Sequence, residues 1–252
     1  MEQKLDDFCH KLIRLAEQLP IDLSQKTASQ LYQYYLMLIE KNKVMNLTAI
    51  TDEDDVILKH FIDSLSIVKY FESSEFYGKN GQSGPKMIDI GTGAGFPGLV
   101  LKIVFPDLQM TLFDSLQKRL NFLDEVIIHL GLTGVCTVHG RAEDFGLDPN
   151  FREKYDFAVS RAVANMATLS EYCLPFVRTG GCFVAYKTSE SEDEIASAEN
   201  AVRKLGAEIE SQCHFTLPGS DIGRNLVVLR KKHPTDRKYP RKAGTPSKDP
   251  LK

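Results

Sequence analysis

The stretch AEIESQCHFTLPGSDIGRNLVVLRK (residues 207–231) constrains the fold more than any other part of the chain. It holds two strand-like apolar runs joined by a short irregular loop. With no room for a crossover helix, the two strands must pair antiparallel. Upstream the rhythm differs. KMIDI, QMTLFD, CTVHG, YDFAVS and GCFVAYK read as five strands separated by helix-like stretches, including residues 115–130 closed by Gly131 and 190–205 closed by Gly206. Strand alternating with helix predicts a parallel, doubly wound sheet. The expectation is α/β: seven strands, mostly parallel, ending in an antiparallel hairpin.

Residues 1–77 carry a helical signal instead. Leu5, Phe8, Leu12, Leu15, Ala16 and Leu19 recur at helical spacing ahead of Pro20. Ser24 is placed to cap a second helix with Leu31, Tyr34, Tyr35, Leu38 and Ile39 on its apolar face. VMNLTAIT interrupts the pattern, and DEDDVILKHFIDSLSIVKYF resumes it with acids at the helix start, where the dipole favours them. GKNGQSGP at 78–85 is the clearest linker. The expected organisation is an N-terminal helical extension over 1–77, a ligand-binding α/β domain over 78–230 and a basic, proline-rich tail over 231–252.

MIDIGTGAGFPGLVLKI (residues 87–103) reads as strand, tight turn and helix, a turn that can hold a ligand beyond the strand end or mark only a close strand–helix approach. Gly93-Ala94-Gly95-Phe96-Pro97-Gly98 matches the dinucleotide pattern GxGxxG, which alone is weak evidence. Three residues disfavour a pyrophosphate. Phe96 is bulky where backbone must approach phosphate, Pro97 removes an N–H from the anion-binding first turn, and Asp89 sets a carboxylate two residues before Gly91. That carboxylate suits S-adenosylmethionine, which carries an ammonium and a sulfonium. Asp114, ending the next strand, can accept both ribose hydroxyls of either cofactor, or simply cap the following helix. Ala142 and Glu143 in GRAEDFG can meet the adenine, or Glu143 can serve as a helix-start acid. The terminal hairpin is also how Rossmann-like class I methyltransferases finish. The favoured ligand is therefore the methyl donor, and the expected fold is that class with an N-terminal helical extension.

Composition narrows the setting. Apolar residues at 42% and charged residues at 26% are ordinary for a soluble globular protein. No apolar run reaches the roughly 20 residues a bilayer needs, and the charged N-terminus has no secretory core, so a cytoplasmic protein without membrane attachment is expected. The five cysteines form no CxxC pair and are expected to be reduced and mostly buried, while the six histidines show no ligand spacing, so no metal is expected.

The acceptor is sought after the fourth strand, in YDFAVSRAVANM. It lacks the proline-rich turn of exocyclic amine methylation. A cytosine C5 enzyme would need a nucleophilic cysteine, and Cys173 lies inside a core-like run. Arg161 after that strand and Lys187 at the end of the fifth place two cations at the mouth of an otherwise acidic protein, either for an anionic polymer or for ion pairs with Asp89, Asp114 or Glu143. Taken together, DIGTGAGFPG, GRAED, DFAVSRAVA, NLTAIT…HFIDSL and YPRKAGTPSKDPL resemble the bacterial 16S ribosomal RNA guanine-N7 methyltransferases, the glucose-inhibited division protein B family, over nearly the whole chain. The resemblance implies methylation of one guanine in the decoding region of 16S ribosomal RNA, within the RNA or a small-subunit particle. It also implies that Gly91, Phe96, Ala142, Glu143 and Arg161 occupy cofactor-contacting positions, with Asp114 beside them. Asp89 and Gly93 join that set from the reading of the loop. Guanine N7 has a lone pair and no proton to lose, so no general base is required and no catalytic residue is expected. A small-molecule methyltransferase, or an RNA-binding protein that has lost its cofactor, would share parts of this pattern.

The net charge of −3 hides an asymmetry: residues 230–252 hold nine Lys/Arg against two Asp. Arg237, Lys238, Arg241 and Lys242, with Lys187, are the expected phosphate contacts. Prolines at 234, 240, 246 and 250 forbid a long helix, so the tail is expected to run extended along the protein or to order on RNA, and to contribute nothing to cofactor binding. The protein is expected to act as a monomer.

Overall fold

A computed structural model describes residues 2–78, 83–162 and 164–252. Residues 79–82 of the expected linker, and Val163 of the SRAVA stretch, lie outside them. Helices α1 (Glu2–Ala16) and α2 (Gln25–Met45) open the chain. Ser24 accepts the Thr27 N–H at 3.1 Å, as an N-cap should, and α2 ends at Asn46 in the left-handed region. The third helical stretch is composite: α3 (Glu53–Val56), a π-helix over Ile57–Ile62, α4 (Asp63–Leu65) and 3-10 turns at Ser66–Lys69 and Ser73–Phe76.

The strands are β1 (Lys86–Ile90), β2 (Gln109–Asp114), β3 (Val135–His139), β4 (Tyr155–Ser160), β5 (Val177–Thr188), β6 (Ala207–Thr216) and β7 (Gly223–Lys231). Between and after them lie α5 (Gly98–Val104), α6 (Gln117–His129), α7 (Ala142–Phe145), α8 (Met166–Cys173), α9 (Glu192–Lys204) and, in the tail, α10 (Thr245–Lys248). One seven-stranded sheet runs β3-β2-β1-β4-β5-β7-β6. The first five strands pair parallel, and β7 pairs antiparallel with both β5 and β6. This is the expected class I methyltransferase sheet, with β7 inserted between its predecessor β6 and β5. The strand order reverses between β1 and β4, and ligands of open α/β sheets bind beyond the carboxyl ends at such a point.

Central strands bury both faces, so their residues alternate between two apolar layers. Met87, Val159, Val184 and Val228 point into a core that also holds Phe8, Leu12, Leu31, Phe61, Leu99 and Leu123. Ile88, Ala158, Phe183 and Val227 point the other way, against Leu169, Leu174, Ile195 and Val202 of the α8–α9 side. The helical extension therefore shares a core with α5, α6 and the sheet. Cys9, Cys173 and Cys182 are buried, whereas Cys136 is exposed on the edge strand β3, an exception that the apolar run around it did not announce.

The tail is packed along the α8–α9 layer. Lys231 is fully buried, donates to the carbonyls of Leu174 (2.7 Å) and Val177 (3.2 Å) and to the Thr235 hydroxyl, and burial pushes its ammonium down to about 8. Arg152 holds the next turn, donating to the carbonyls of Tyr239 at 2.9 Å and Thr235 at 2.6 Å.

Candidate active site

The glycine loop leaves β1 and turns back on itself at once. Gly91 and Thr92 donate to the Phe113 carbonyl at 2.8 and 3.0 Å, which ties the loop to the neighbouring strand. Gly93 sits at φ +60 and donates to Asp114 Oδ2 at 2.9 Å. Gly98, the first residue of α5, donates to Asp89 Oδ2 at 2.8 Å, and a Cβ at Gly98 would lie 2.7 Å from Asp89 Cβ. Here glycine is required by close approach, not by backbone angle.

Asp89 therefore does not face outward from the loop. Its side chain is completely buried beneath it, Oδ1 has no hydrogen-bond partner, and burial pushes the carboxyl up to about 6. The expected contact with an ammonium gives way to a supporting position, because the loop folds over the carboxylate and α5 starts on it. Asp114 is nearly as buried but lies at the cavity, accepting from Leu116 N–H at 2.8 Å through Oδ1 and from Gly93 through Oδ2. Carboxylate oxygens have further acceptor capacity, so these bonds orient Asp114 without exhausting it.

A cavity of about 220 Å³ opens beyond the ends of β1, β2 and β3, lined by Gly91, Asp114, Ala142 and Glu143 together with Leu169 and Tyr172. Glu143, in the first turn of α7, accepts the Gly244 N–H from the tail at 2.8 Å. A second cavity of about 420 Å³ shares Ala162 with the first and is lined by His60, Asp63, Arg161, Lys187, Glu194 and Arg224.

The second cavity is built on the N-terminal extension. Arg161 donates to the Lys59 carbonyl at 2.9 Å, to Asp63 Oδ2 at 3.1 Å and to His60 Nδ1 at 3.1 Å, and lies over the Phe96 ring at 5.2 Å. Arg224 donates to Asp63 Oδ1 at 3.0 Å. A guanidinium only donates, so His60 Nδ1 must accept and Nε2 must carry the proton, which it gives to Thr48 Oγ1 at 2.8 Å. Burial, with Arg161 nearby, lowers His60 to about 3, so the ring is neutral, and it stacks on Phe96 at a centroid distance of 4.2 Å. The π-helix makes the assembly possible. Its wide turn presents the Lys59 carbonyl, His60 and the following Asp63 to one guanidinium. Lys187 donates to Glu194 Oε1 at 2.7 Å and to the Ala164 carbonyl at 2.8 Å.

A family model described as GidB, rRNA small subunit methyltransferase G, matches residues 27–222. The chain belongs to this family. A member from Acetivibrio thermocellus, named ribosomal RNA small subunit methyltransferase G, is 48% identical over 251 residues covering 100% of both chains. One of the same name from Exiguobacterium sp. is 49% identical, over 91% of this chain and 93% of its own. Among solved structures, a putative sarcosine dimethylglycine methyltransferase from Galdieria sulphuraria superposes with a TM-score of 0.52 at 12% identity, covering 72% of this chain and 88% of that one. MtNAS, in complex with MTA and tNA, gives 0.51 at 15% identity, covering 82% of this chain and 76% of that one. At such identities the likeness is one of fold.

For this family member, the residues expected at the cofactor divide into three groups. Gly91, Asp114, Ala142 and Glu143 line the first cavity. Asp89 and Gly93 shape it from beneath or beside, whereas Phe96 stacks on His60 under Arg161, which lines the second cavity with Lys187. The cations pair with Asp63 and Glu194, not with the acids considered from the sequence. Arg237, Lys238 and Lys242 are exposed on the tail, outside both cavities. Arg241 differs: it forms a two-pronged pair with the fully buried Glu171, at 3.0 and 2.8 Å, and anchors the tail. The sequence reading missed His60, Asp63, Glu194, Arg224 and Glu171. Polar residues three apart in the apolar run HFIDSL were the available sign for the first two. Among the described residues no His, Cys, Asp and Glu gather as a metal site, and no helix is long and apolar enough to cross a membrane.

Proposed function

We propose that the protein transfers the methyl group of S-adenosylmethionine to N7 of a guanine in the decoding region of 16S ribosomal RNA. The observation that carries this reading is the pair of adjoining cavities: one lined by glycine backbone with Asp114 and Glu143, the other by Arg161, Lys187 and Arg224 with their acidic partners Asp63 and Glu194. Asp114 has acceptor capacity for the ribose hydroxyls, and Glu143 and Ala142, on the wall of the same cavity, are read as the adenine contacts. The residues present thus fit the methyl donor, whose sulfonium supplies an electrophilic methyl group when bound. The target base would enter the second cavity, with Lys187 and the exposed cations of the tail holding phosphates. A base with N7 presented to a pocket must be splayed from its stack.

The chain's own residues would contribute placement, and bringing the two reactants into line can supply several kcal/mol of the barrier. N7 attack needs no base, in keeping with His60 being held neutral with both nitrogens engaged and with the Cys173 thiol buried and raised well above its usual range. The product base is cationic, and Arg161 is restrained by a carbonyl, a carboxylate and an imidazole, so it does not have to face the new charge. As a modifier of ribosomal RNA, the protein would act in the cytoplasm, and it is read as a monomer.

The test is to incubate the protein with methyl-labelled S-adenosylmethionine and small subunits, naked 16S RNA or a metabolite extract. Label should appear as 7-methylguanine at one position of the RNA. Label in a small molecule with none in RNA would exclude the reading. Calorimetry should show binding of S-adenosylhomocysteine and none of NAD.

A further inference from the structure

The tail touches the cofactor cavity. Gly244 N–H donates to Glu143 Oε1 at 2.8 Å, and Glu143 is 5% exposed on the wall of that cavity. No other hydrogen bond to Glu143's carboxylate is made among the described residues, so the Gly244 amide is its one hydrogen-bond donor there. We infer that residues 241–252 form a wall-bracing segment of the cofactor site, with the Gly244 amide as the group that positions Glu143. This rests on the reading that the first cavity takes S-adenosylmethionine, and it replaces the expectation that the tail is irrelevant to the cofactor.

The segment is held on both sides of that amide. Before it, Arg241 is clamped to Glu171, which is completely buried and also accepts the Arg241 N–H at 2.7 Å. After it, the Thr168 hydroxyl, 1% exposed in the first turn of α8, donates to the Pro246 carbonyl at 2.7 Å. The last carbonyl, of Lys252, accepts from Asn200 at 2.8 Å and Lys204 at 2.7 Å on α9. A segment that only presented cations to RNA would need neither of the buried anchors, Glu171 and Thr168; the Lys252 contacts lie on the surface. Buried carboxylates and hydroxyls are costly to leave unpaired, so the anchors fix the strap in one place. Gly244 itself adopts φ +82 with open space around its α-carbon, a conformation glycine takes freely and L-residues do not. The turn therefore serves to aim the amide inward.

The experiment measures S-adenosylhomocysteine affinity by calorimetry for the full chain and three changes: deletion of residues 243–252, Thr168→Val and Glu143→Ala. If the full chain does not bind, the cofactor reading itself fails. If it binds, deletion should weaken affinity by about tenfold or more, the effect of losing one hydrogen bond to a charged group. Thr168→Val should weaken it in the same direction, and serves where the deletion does not fold. The decisive arm is the cycle. In the Glu143→Ala background the deletion, or Thr168→Val, should cost almost nothing further, because the positioned group is gone. For Thr168→Val, the cofactor KM should rise while kcat at saturating cofactor and the salt dependence of RNA binding stay put. Unchanged affinity in both variants, or a full additional loss in the Glu143→Ala background, would overturn the inference.

Discussion

At the residue scale, His60 and Gly98 carry separable predictions. His60 has a folded pKa of about 3 against 6.5 for the free side chain. Between those values the unfolded chain holds a proton that the folded chain does not, so the stability due to this group is complete above 6.5 and is lost as pH falls toward 3. Urea unfolding of the protein and of His60→Gln should show the stability difference changing by about 1.4 kcal/mol per pH unit in that window, in the sense that the protein loses its advantage in acid. Comparing the two proteins cancels the opposite contribution of Asp89, whose raised carboxyl favours the folded state at lower pH. Gly98→Ala places a methyl group 2.7 Å from Asp89 Cβ and Leu112 Cδ2. Overpacking of this kind costs about 1–3 kcal/mol, visible as a lowered denaturation midpoint together with weaker cofactor binding.

At the scale of elements, the π-helix and the strand ends β4 and β7 meet at Asp63, which pairs with Arg161 and Arg224 while only 3% of its side chain is exposed. Removing one partner of a buried charge network leaves the others uncompensated, so Asp63→Ala should destabilise the fold by about 3–5 kcal/mol. Asp63→Asn keeps the shape and one acceptor. Its expected effect is a fall of about tenfold in methylation of small subunits with S-adenosylhomocysteine affinity little changed, about 1.4 kcal/mol lost on the RNA side alone. Equal losses on both sides would show that the network serves the fold and not the acceptor cavity.

At the scale of the whole molecule, the helical extension and the tail close over opposite faces of one sheet. A fragment beginning near Gly84 would expose Leu99, Leu101 and Leu123, which now lie in one core with Phe8, Leu31 and Phe61, so it should aggregate and not methylate RNA. The tail's cations divide by burial. Changing the exposed Arg237, Lys238 and Lys242 to Ala should flatten the slope of log RNA affinity against log salt by about 2–3, with cofactor affinity unchanged. An unaltered slope would show that RNA does not run along this segment. Arg241→Ala should instead loosen the tail, because it strips the buried Glu171 of its partner.

The sequence alone determined the architecture, since each decisive signal is local. Short strand-like runs, helix-like stretches between them, Ser24 at a cap, and a connection too short for a crossover each depend on residues close together in the chain. It also singled out the glycine loop, Asp114, Ala142 and Glu143, because strand ends are where open sheets bind ligands. Tertiary structure decided which charges neutralise which. Arg161 meets Asp63 across 98 positions and Arg241 meets Glu171 across 70, distances at which no periodicity links the partners. It moved Asp89 beneath the loop, placed β7 between β5 and β6, and brought Gly244 to Glu143. Burial drives these choices: a charge taken out of water must find whatever partner the packed chain brings near it, and only the packing specifies which one that is.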